Sequence, residues 1–440
     1  MFDLTPDQQA ALDALHAFTT SGSERVIALS GPAGTGKSTL IGRFLRETNR
    51  RTVRLTATTH KAAAVASALS GSEAMTVHKL FGLRPVNDHD TGETRLERRA
   101  APLAECGSLV VVDEASMVDR ALFQRLAADA EELDLQLLFV GDPYQLPPVS
   151  ESEGVPPVFV VAPTLHLRTV HRQAADNPII GLASAFRAVL DGAPYPVIRP
   201  RGAAIHRLDR KAFAGQIRER FTGRDYAADP DHARLVAWTN ARVNDLNAYV
   251  RALLLGPDAT RWKYLPGETL IVNEAVVEDE KVVLPNESRV TVQRAEADTL
   301  PDSELTGYRL EVSDLGGRSH ELFVPDDARR ARWHLAKLRD RALALKAAQP
   351  VDENAVRAAW RDYFETKERL TDLRPTHAVT VHKSQGSTYR HVLVQTEDIG
   401  RALNQPAHLL ARLLYVATTR ASETASFYGG LPSALYAPGD

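Results

Sequence analysis

A single cysteine in 440 residues, Cys106, leaves no partner for an internal disulfide and no thiolate set for a structural zinc site. A lone cysteine of this kind is expected to be a small, buried, apolar residue. Any run of about 18 apolar residues is missing too, so no membrane-spanning helix is expected. The amino terminus has no basic-then-apolar leader pattern, and a soluble, cytoplasmic protein without membrane contact is the expectation. An excess of charge of one sign is also lacking, because 53 Lys and Arg against 56 Asp and Glu leave −3. The chain as a whole therefore does not attract polyanions, and any polyanion site must be a local basic groove. Tandem repeats and low-complexity tracts are absent, while 44% hydrophobic residues suffice for packed cores. A chain of this length needs more than one core.

The residues present keep a helix-and-strand rhythm. Residues 8–18 are amphipathic, 26–29 are apolar, and a glycine-rich turn comes next, as in a parallel α/β sheet. The short apolar runs 109–112 and 137–140 end in acidic or polar residues, so their carboxyl ends are expected to line a ligand crevice. Residues 84–102 are polar and charged, with Asp90-Thr91-Gly92 as a turn, and predict a small hairpin insertion. A second α/β unit begins near Asn177, carries a strand at 235–238 and resumes at Ala378. Within it, short alternating strands at 270–272, 290–292 and 308–312, then two charged helices over 328–372, predict an inserted small β-barrel with helices. The expected organisation is one α/β domain from 1–83 and 103–176 with the hairpin 84–102, and a second from 177–265 and 374–440 holding the insertion 266–373.

The clearest chemistry lies at Gly31-Pro-Ala-Gly-Thr-Gly-Lys37-Ser38, which joins a strand to a helix and satisfies the phosphate-loop pattern in its required setting. Gly31, Gly34, Thr35 and Gly36 allow backbone N–H groups to wrap phosphates, with Lys37 on the terminal phosphates and Ser38 and Thr39 opening the helix. The Ser38 hydroxyl is a candidate Mg²⁺ ligand. Asp113 and Glu114 end the strand at 109–112, where Asp113 would hold Mg²⁺ through water and Glu114 would polarise an attacking water. In LLFVGDPYQLPP at 137–148, Gln145 is an uncharged candidate sensor of the γ-phosphate. Arg172 in TVHRQ and Arg420 in YVATTRA are candidates for neutralising the departing phosphate. Nucleotide and metal are thus expected to be ATP and Mg²⁺.

In order, LTPDQ (4–8), GPAGTGKST (31–39), TATTHKAAA (56–64), TVHKLFG (76–82), VVVDEAS (110–116), GDPYQLPPV (141–149), TVHRQ (169–173), AWTNARVNDLN (237–247), VTVHKSQGST (379–388) and LLYVATTRA (413–421) resemble the motif series of superfamily 1 DNA helicases. The likeness is greatest to the 5′-to-3′ class that includes the Dda-like and RecD-like enzymes, and it spans nearly the whole chain. It implies two RecA-like P-loop domains, an SH3-like barrel as the inserted domain, and a monomer that unwinds DNA. By the same resemblance Gln8 reads adenine, Gly386 joins the nucleotide site, and Arg172 and Arg420 complete it across the interdomain cleft. Thr59, His60, Lys61, His78, Lys79, Asn240, Thr380, His382 and Lys383 would bear single-stranded DNA. Duplex junctions and a single-strand-binding protein are the further partners it suggests. Enzymes of this kind carry an aromatic on the hairpin, and residues 84–102 hold none. Leu96 or His89 would stand in for it, with Pro85 braced on Trp360 or Phe364.

Overall fold

The computed structural model describes residues 4–22, 24–48, 52–70, 73–148, 155–170, 176–278, 281–301, 303–405, 408–432 and 435. They fall into two compact units, the first of Met1–Leu80, Pro102–Leu255 and His377–Asp440, the second of Phe81–Ala101 and Gly256–Thr376.

The first unit opens with the helix Pro6–Ser21, set by a capping box. The Thr5 hydroxyl accepts the Gln8 N–H, the Gln8 side chain accepts the Thr5 N–H, Pro6 fixes the first turn, and Gly22 at φ 61° ends it. Strands β1 (Val26–Ser30), β2 (Val53–Ala57) and β3 (Ala74–Thr76) come next; β4 (Leu83–Asn87) and β5 (Thr94–Arg98) belong to the other unit; β6 (Leu109–Asp113), β7 (Gln136–Gly141) and β8 (Thr164–His166) complete the first sheet. Its order is β3-β2-β6-β7-β1-β8, parallel throughout. β7 is buried along its whole length, which is why its sequence is apolar without alternation. Ala11, Leu12, Leu15 and Phe18 pack with Leu40, Ile41 and Phe44 of the helix Lys37–Glu47 over Ile27, Leu29, Leu138 and Val140. The strand before the phosphate loop and the helix after it thus share one core.

A second parallel sheet in this unit uses β9 (Ile205–Leu208), β10 (Ala233–Ala237), β18 (Ala378–Thr380), β19 (Tyr389–Gln395) and β20 (Ala421–Tyr428), ordered β18-β10-β19-β20-β9. Its largest core joins Ile179, Leu182 and Phe186 to Leu413, Leu414 and Val416 of the helix Leu409–Thr419, and it also takes in Leu146 from the loop after β7. Trp238 is partly buried against the same core. Cys106 departs from expectation: it is exposed, in the turn ahead of β6, with Sγ 3.7 Å from Asp134 Oδ2. The turn is polar on both sides, and the apolar strand begins only at Leu109.

The second unit contains a five-stranded antiparallel sheet of β11 (Thr269–Val272), β14 (Arg289–Thr299), β15 (Thr306–Asp314), β16 (Ser319–Pro325) and β17 (Leu373–Pro375), ordered β16-β15-β14-β11-β17. β12 (Val276–Glu278) and β13 (Lys281–Leu284) form a separate pair, and an isolated bridge links Phe323 of β16 to Leu370 just before β17. The helices Ala328–Ala347 and Glu353–Arg369 pack together around Ala342, Val356, Ala359, Trp360 and Phe364. The hairpin β4–β5 groups with these helices, because its tip docks on them. Arg357 Nε donates to Asp90 Oδ1 at 2.6 Å, Lys346 Nζ to the Asp90 carbonyl at 3.0 Å, and Asn87 Nδ2 to Glu368 Oε1 at 2.8 Å. The rings of His89 and Phe364 meet edge-on at 5.3 Å. Trp360 and Phe364 therefore do brace the hairpin, but through Gly92 and His89, whereas Pro85 lies exposed on β4. A Cβ on Gly92, which adopts φ 76°, would come 2.2 Å from the Trp360 indole, so only glycine lets the tip approach so closely. Among the described residues no helix is long and apolar enough to cross a membrane.

Candidate nucleotide site and strand-facing loops

The loop 31–36 leaves β1 at its carboxyl end, with Gly34 and Gly36 at φ 84° and 76°. These left-handed residues turn successive N–H groups toward one concavity ahead of the helix Lys37–Glu47, an arrangement suited to phosphate. Gly31 is packed on the other side, where an added Cβ would lie 2.6 Å from Thr35 Oγ1 and 3.0 Å from Leu167 Cβ. Thr35 is fully buried, its hydroxyl donating to the Pro32 carbonyl at 2.9 Å. Lys37 Nζ donates to the carbonyls of Gly31 at 2.5 Å and Pro32 at 3.1 Å, so the cation is already folded over the loop. Gln8 is buried and its Nε2 donates to the Thr35 carbonyl at 2.9 Å, fixing the first helix to the loop.

Asp113 ends β6, and its Oδ1 accepts the N–H of Glu114 at 2.8 Å. Glu114 adopts φ 52°, a left-handed conformation that is strained for a side-chain-bearing residue. Burial raises the pKa of both carboxyls. For Glu114 the adjacent Asp113 charge adds to burial and outweighs the opposing pull of Arg420 and Lys37, bringing it to about 7. Exposed Ser38 and Thr39 line a cavity of about 230 Å³ together with Asp113. A hydroxyl and a carboxylate are hard oxygen donors that suit Mg²⁺, which usually takes few protein ligands and completes its shell with water and phosphate. Among the described residues no group of three or more His, Cys, Asp or Glu forms an all-protein metal cage.

The second sheet supplies the facing side. Arg420 is buried, held by the carbonyls of Val416 at 3.3 Å and Ser387 at 3.1 Å and by Thr419 Oγ1 at 3.1 Å. A Cβ on Gly386, at φ 68°, would lie 3.4 Å from Ala62 Cβ, 3.9 Å from Glu114 Cγ and 4.0 Å from Thr59 Oγ1. The loop after β18 thus closes over both Glu114 and the start of the helix His60–Ser70. Gln145 is buried, with Oε1 unpaired among the described residues, an acceptor unaccounted for within this site. Arg172 lies outside the described residues.

Sequence reasoning missed the contacts that join the two halves. The Tyr415 hydroxyl donates to Asp142 and accepts the Ala33 N–H at 2.9 Å, tying the second core to the phosphate loop. Arg412 Nη1 donates to the carbonyls of Pro143 at 2.6 Å and Gln145 at 2.8 Å, and Gln385 Nε2 to that of Leu146 at 2.9 Å. The available signal was polar side chains inside apolar LLARLLYVATT, where a buried arginine or tyrosine needs a partner. Asp398 was missed as well. It accepts the N–H groups of Trp238 and Thr239 and the Thr239 hydroxyl, each at 2.8 Å, and so sets the start of the helix Asn240–Leu255.

Four threonines cap turns at the carboxyl ends of strands. Thr59, Thr76, Thr239 and Thr380 accept the N–H of Ala62, Lys79, Arg242 and Lys383 at 3.1, 3.2, 3.2 and 3.3 Å. Their first role is local, like that of Thr56, whose hydroxyl donates to the Val111 carbonyl. His60, Lys79 and Asn240 are exposed, and His78, His382 and Lys383 half-buried. Burial lowers the pKa of His60, His78 and His382, with the Lys79 charge adding to the effect at His60. Neutral imidazoles of this kind donate hydrogen bonds without carrying charge. Lys61 is placed differently from a free phosphate contact: Nζ lies 3.5 Å from Asp231 Oδ1 and 4.8 Å above the Tyr389 ring, which also carries the Arg234 guanidinium at 4.7 Å.

Two parallel sheets, a phosphate loop on one, an acidic pair beside it and an arginine from the other define a P-loop ATPase core. Two family models match the chain, an AAA domain over residues 3–209 and a UvrD-like helicase C-terminal domain over 375–428. The ATP-dependent DNA helicase Dda of Enterobacteria phage T4 is 25% identical over 453 residues, covering 95% of this chain and 97% of its own. The RecD2 helicase of Deinococcus radiodurans is 37% identical over 182 residues, 41% of this chain and 23% of its own. Among solved structures, a Bacteroides Pif1 helicase in complex with ADP-AlF3 and single-stranded DNA superimposes with TM-score 0.50 at 16% identity, covering 99% of this chain and 94% of that one, which is a likeness of fold. The chain resembles the Dda and RecD kind of superfamily 1 helicase.

Proposed function

We propose that the protein is an ATP-dependent DNA helicase that moves 5′-to-3′ along single-stranded DNA and opens duplex ahead of it, with the second unit an SH3-like accessory domain carrying the wedge hairpin. The observation that carries this reading is the position of Gly386, in the same loop as His382 and Lys383, where even an added Cβ would come within van der Waals contact of Glu114 and of Thr59 and Ala62 at the first strand-facing helix. Hydrolysis and grip on the strand would share that contact. In the proposed reaction Lys37 leaves its loop carbonyls for the β and γ oxygens, and Glu114 takes a proton from the attacking water. The water oxygen bonds to the γ phosphorus as the bond to the β–γ bridging oxygen breaks, and Arg420, with Arg172, neutralises the charge that accumulates. Mg²⁺ held by Ser38 and Asp113 would neutralise the phosphate oxygens.

Strand separation from partial duplexes with a 5′ or a 3′ tail, alongside DNA-stimulated hydrolysis, tests this. Unwinding from the 5′ tail alone is expected, and unwinding from the 3′ tail alone would overturn the polarity. A second reading, a single-strand translocase or protein-displacing ATPase with weak unwinding, is favoured by the aromatic-free hairpin. His89 is turned onto Phe364, and the other stand-in, Leu96, is aliphatic and 42% exposed. Hydrolysis without strand separation would select that reading.

A further inference from the structure

The helix Ala328–Ala347 is unlike the rest of the chain in charge. It carries Arg329, Arg330, Arg332, Lys337, Arg339, Arg341 and Lys346 against one acid, Asp340, in a protein of net charge −3. Its partner Glu353–Arg369 balances four acids, Glu353, Asp362, Glu365 and Glu368, with four bases. An ordinary solvated helix face looks like the partner, with opposite charges interleaved. At 3.6 residues per turn, Arg330, Trp333, Lys337 and Arg341 form one stripe about 80° wide, turned about 120° round the helix from buried Ala331 and Ala342. All four are exposed, Trp333 at 60%, and the Lys337 ammonium lies 4.5 Å from the centre of its indole. Lys337 has no carboxylate partner among the described residues, while the partners of Arg330 and Arg341, Glu304 and Asp362, stand off at 3.7 Å on side chains at least half exposed.

We infer that this stripe is a binding site for single-stranded nucleic acid, separate from the strand-facing loops of the first unit. Three cations along about 16 Å of helix match the phosphates of up to about five nucleotides. An exposed tryptophan set among them, with the Lys337 ammonium over its ring, can stack on an unpaired base, which a paired duplex cannot present. Charge complementarity and the exposed indole together favour a single strand over duplex.

The test uses the full chain without ATP, measuring binding of oligo(dT) and of blunt duplex across a salt series. Arg330→Glu/Lys337→Glu/Arg341→Glu is expected to weaken oligo(dT) binding and lower its salt slope by about 2, at roughly 0.7 per lost phosphate contact. Trp333→Ala should weaken the same binding at least about fivefold and leave the slope alone. Arg210→Glu/Lys211→Glu/Arg218→Glu, on the exposed face of the helix Arg210–Thr222, controls for net charge and should change oligo(dT) binding little. Loss confined to duplex, an equal loss in the control, or an unchanged affinity in both stripe variants would each overturn the assignment. None of these outcomes depends on hydrolysis or on polarity.

Discussion

Tyr415→Phe isolates the link between the second core and the phosphate loop. Phenylalanine fills the same space but removes the donor to Asp142 and the acceptor for the Ala33 N–H. Tyr415 and Asp142 are 1% and 2% exposed, so water does not take the place of the lost hydroxyl. Losing a buried hydrogen bond to a charged group costs about 1.5–3 kcal/mol, which is roughly 10- to 150-fold in the equilibrium that docks the helix Leu409–Thr419 onto the loop. Because the remainder of that helix stays buried in its own core, global stability should fall by less than this figure. The effect belongs in KM for ATP during DNA-stimulated hydrolysis, where a rise of about tenfold or more is expected. A KM within about twofold of the unsubstituted protein, with the fold intact by circular dichroism, would refute the coupling.

Glu114→Gln should lower hydrolysis by about 10²- to 10⁴-fold while ATP still binds, read by single-turnover assay and nucleotide binding. Its pH signature comes from the raised pKa: above the ordinary 4.5 an unfolded chain ionises this carboxyl while the folded one resists, so native stability is lost as pH climbs to about 7. Glu114→Gln should therefore be more stable than the parent at pH 8, by on the order of 3 kcal/mol, with the gap nearly closed at about pH 4; a gap equal at both would contradict the burial argument. Gly92→Ala places a methyl group into the Trp360 ring and should undock the hairpin, reducing unwinding of a tailed duplex while single-strand-stimulated hydrolysis persists; equal loss of both would contradict it. Asp231→Ala takes the 2.9 Å carboxylate from the buried Arg234 guanidinium, leaving it the Pro230 carbonyl and the Tyr389 ring, and should destabilise the protein by about 1–3 kcal/mol, visible in urea unfolding.

How far the fold could be read from the chain depended on periodicity. The strands that became β1, β6, β7 and β10 were legible because a buried parallel strand is an unbroken apolar run with a polar end, and the hairpin was legible from Asp90-Thr91-Gly92. Long-range partners were not. Nothing in the spacing of Pro85, His89 and Gly92 says which meets the helices far downstream, since that depends on how the helix pair is oriented rather than on any local pattern. Cys106 failed for a related reason: cysteine is usually buried, but this one precedes its strand by three residues and the turn holds it outside.

The site shows the same division. Lys37, Asp113 and Glu114 could be offered as candidates because each sits at an end of an element whose type the neighbouring residues reveal, and Arg420 because it closes the YVATTRA segment. Tyr415, Arg412, Gln385 and Asp398 could not, because they lie inside apolar or helical stretches and act across the fold. A repeated tetrapeptide spans both cases. TVHK occurs at 76–79 and again at 380–383, and each copy sits at the end of an edge strand, β3 beside β2 and β18 beside β10, with the threonine capping the turn in both. Identical tetrapeptides at identical places in two sheets are economically explained by one requirement met twice: a turn that presents a histidine and a lysine at the carboxyl edge of a parallel sheet. The copies differ in turn type, an α-helical turn Val77–Leu80 against a 3-10 turn His382–Ser384, and in the residues after them, Leu-Phe-Gly leading to the hairpin and Ser-Gln-Gly leading to Gly386 beside Glu114. On the proposed function, the likeness would serve two turns that grip one strand in alternation, and the difference would let only the second of them respond to the nucleotide.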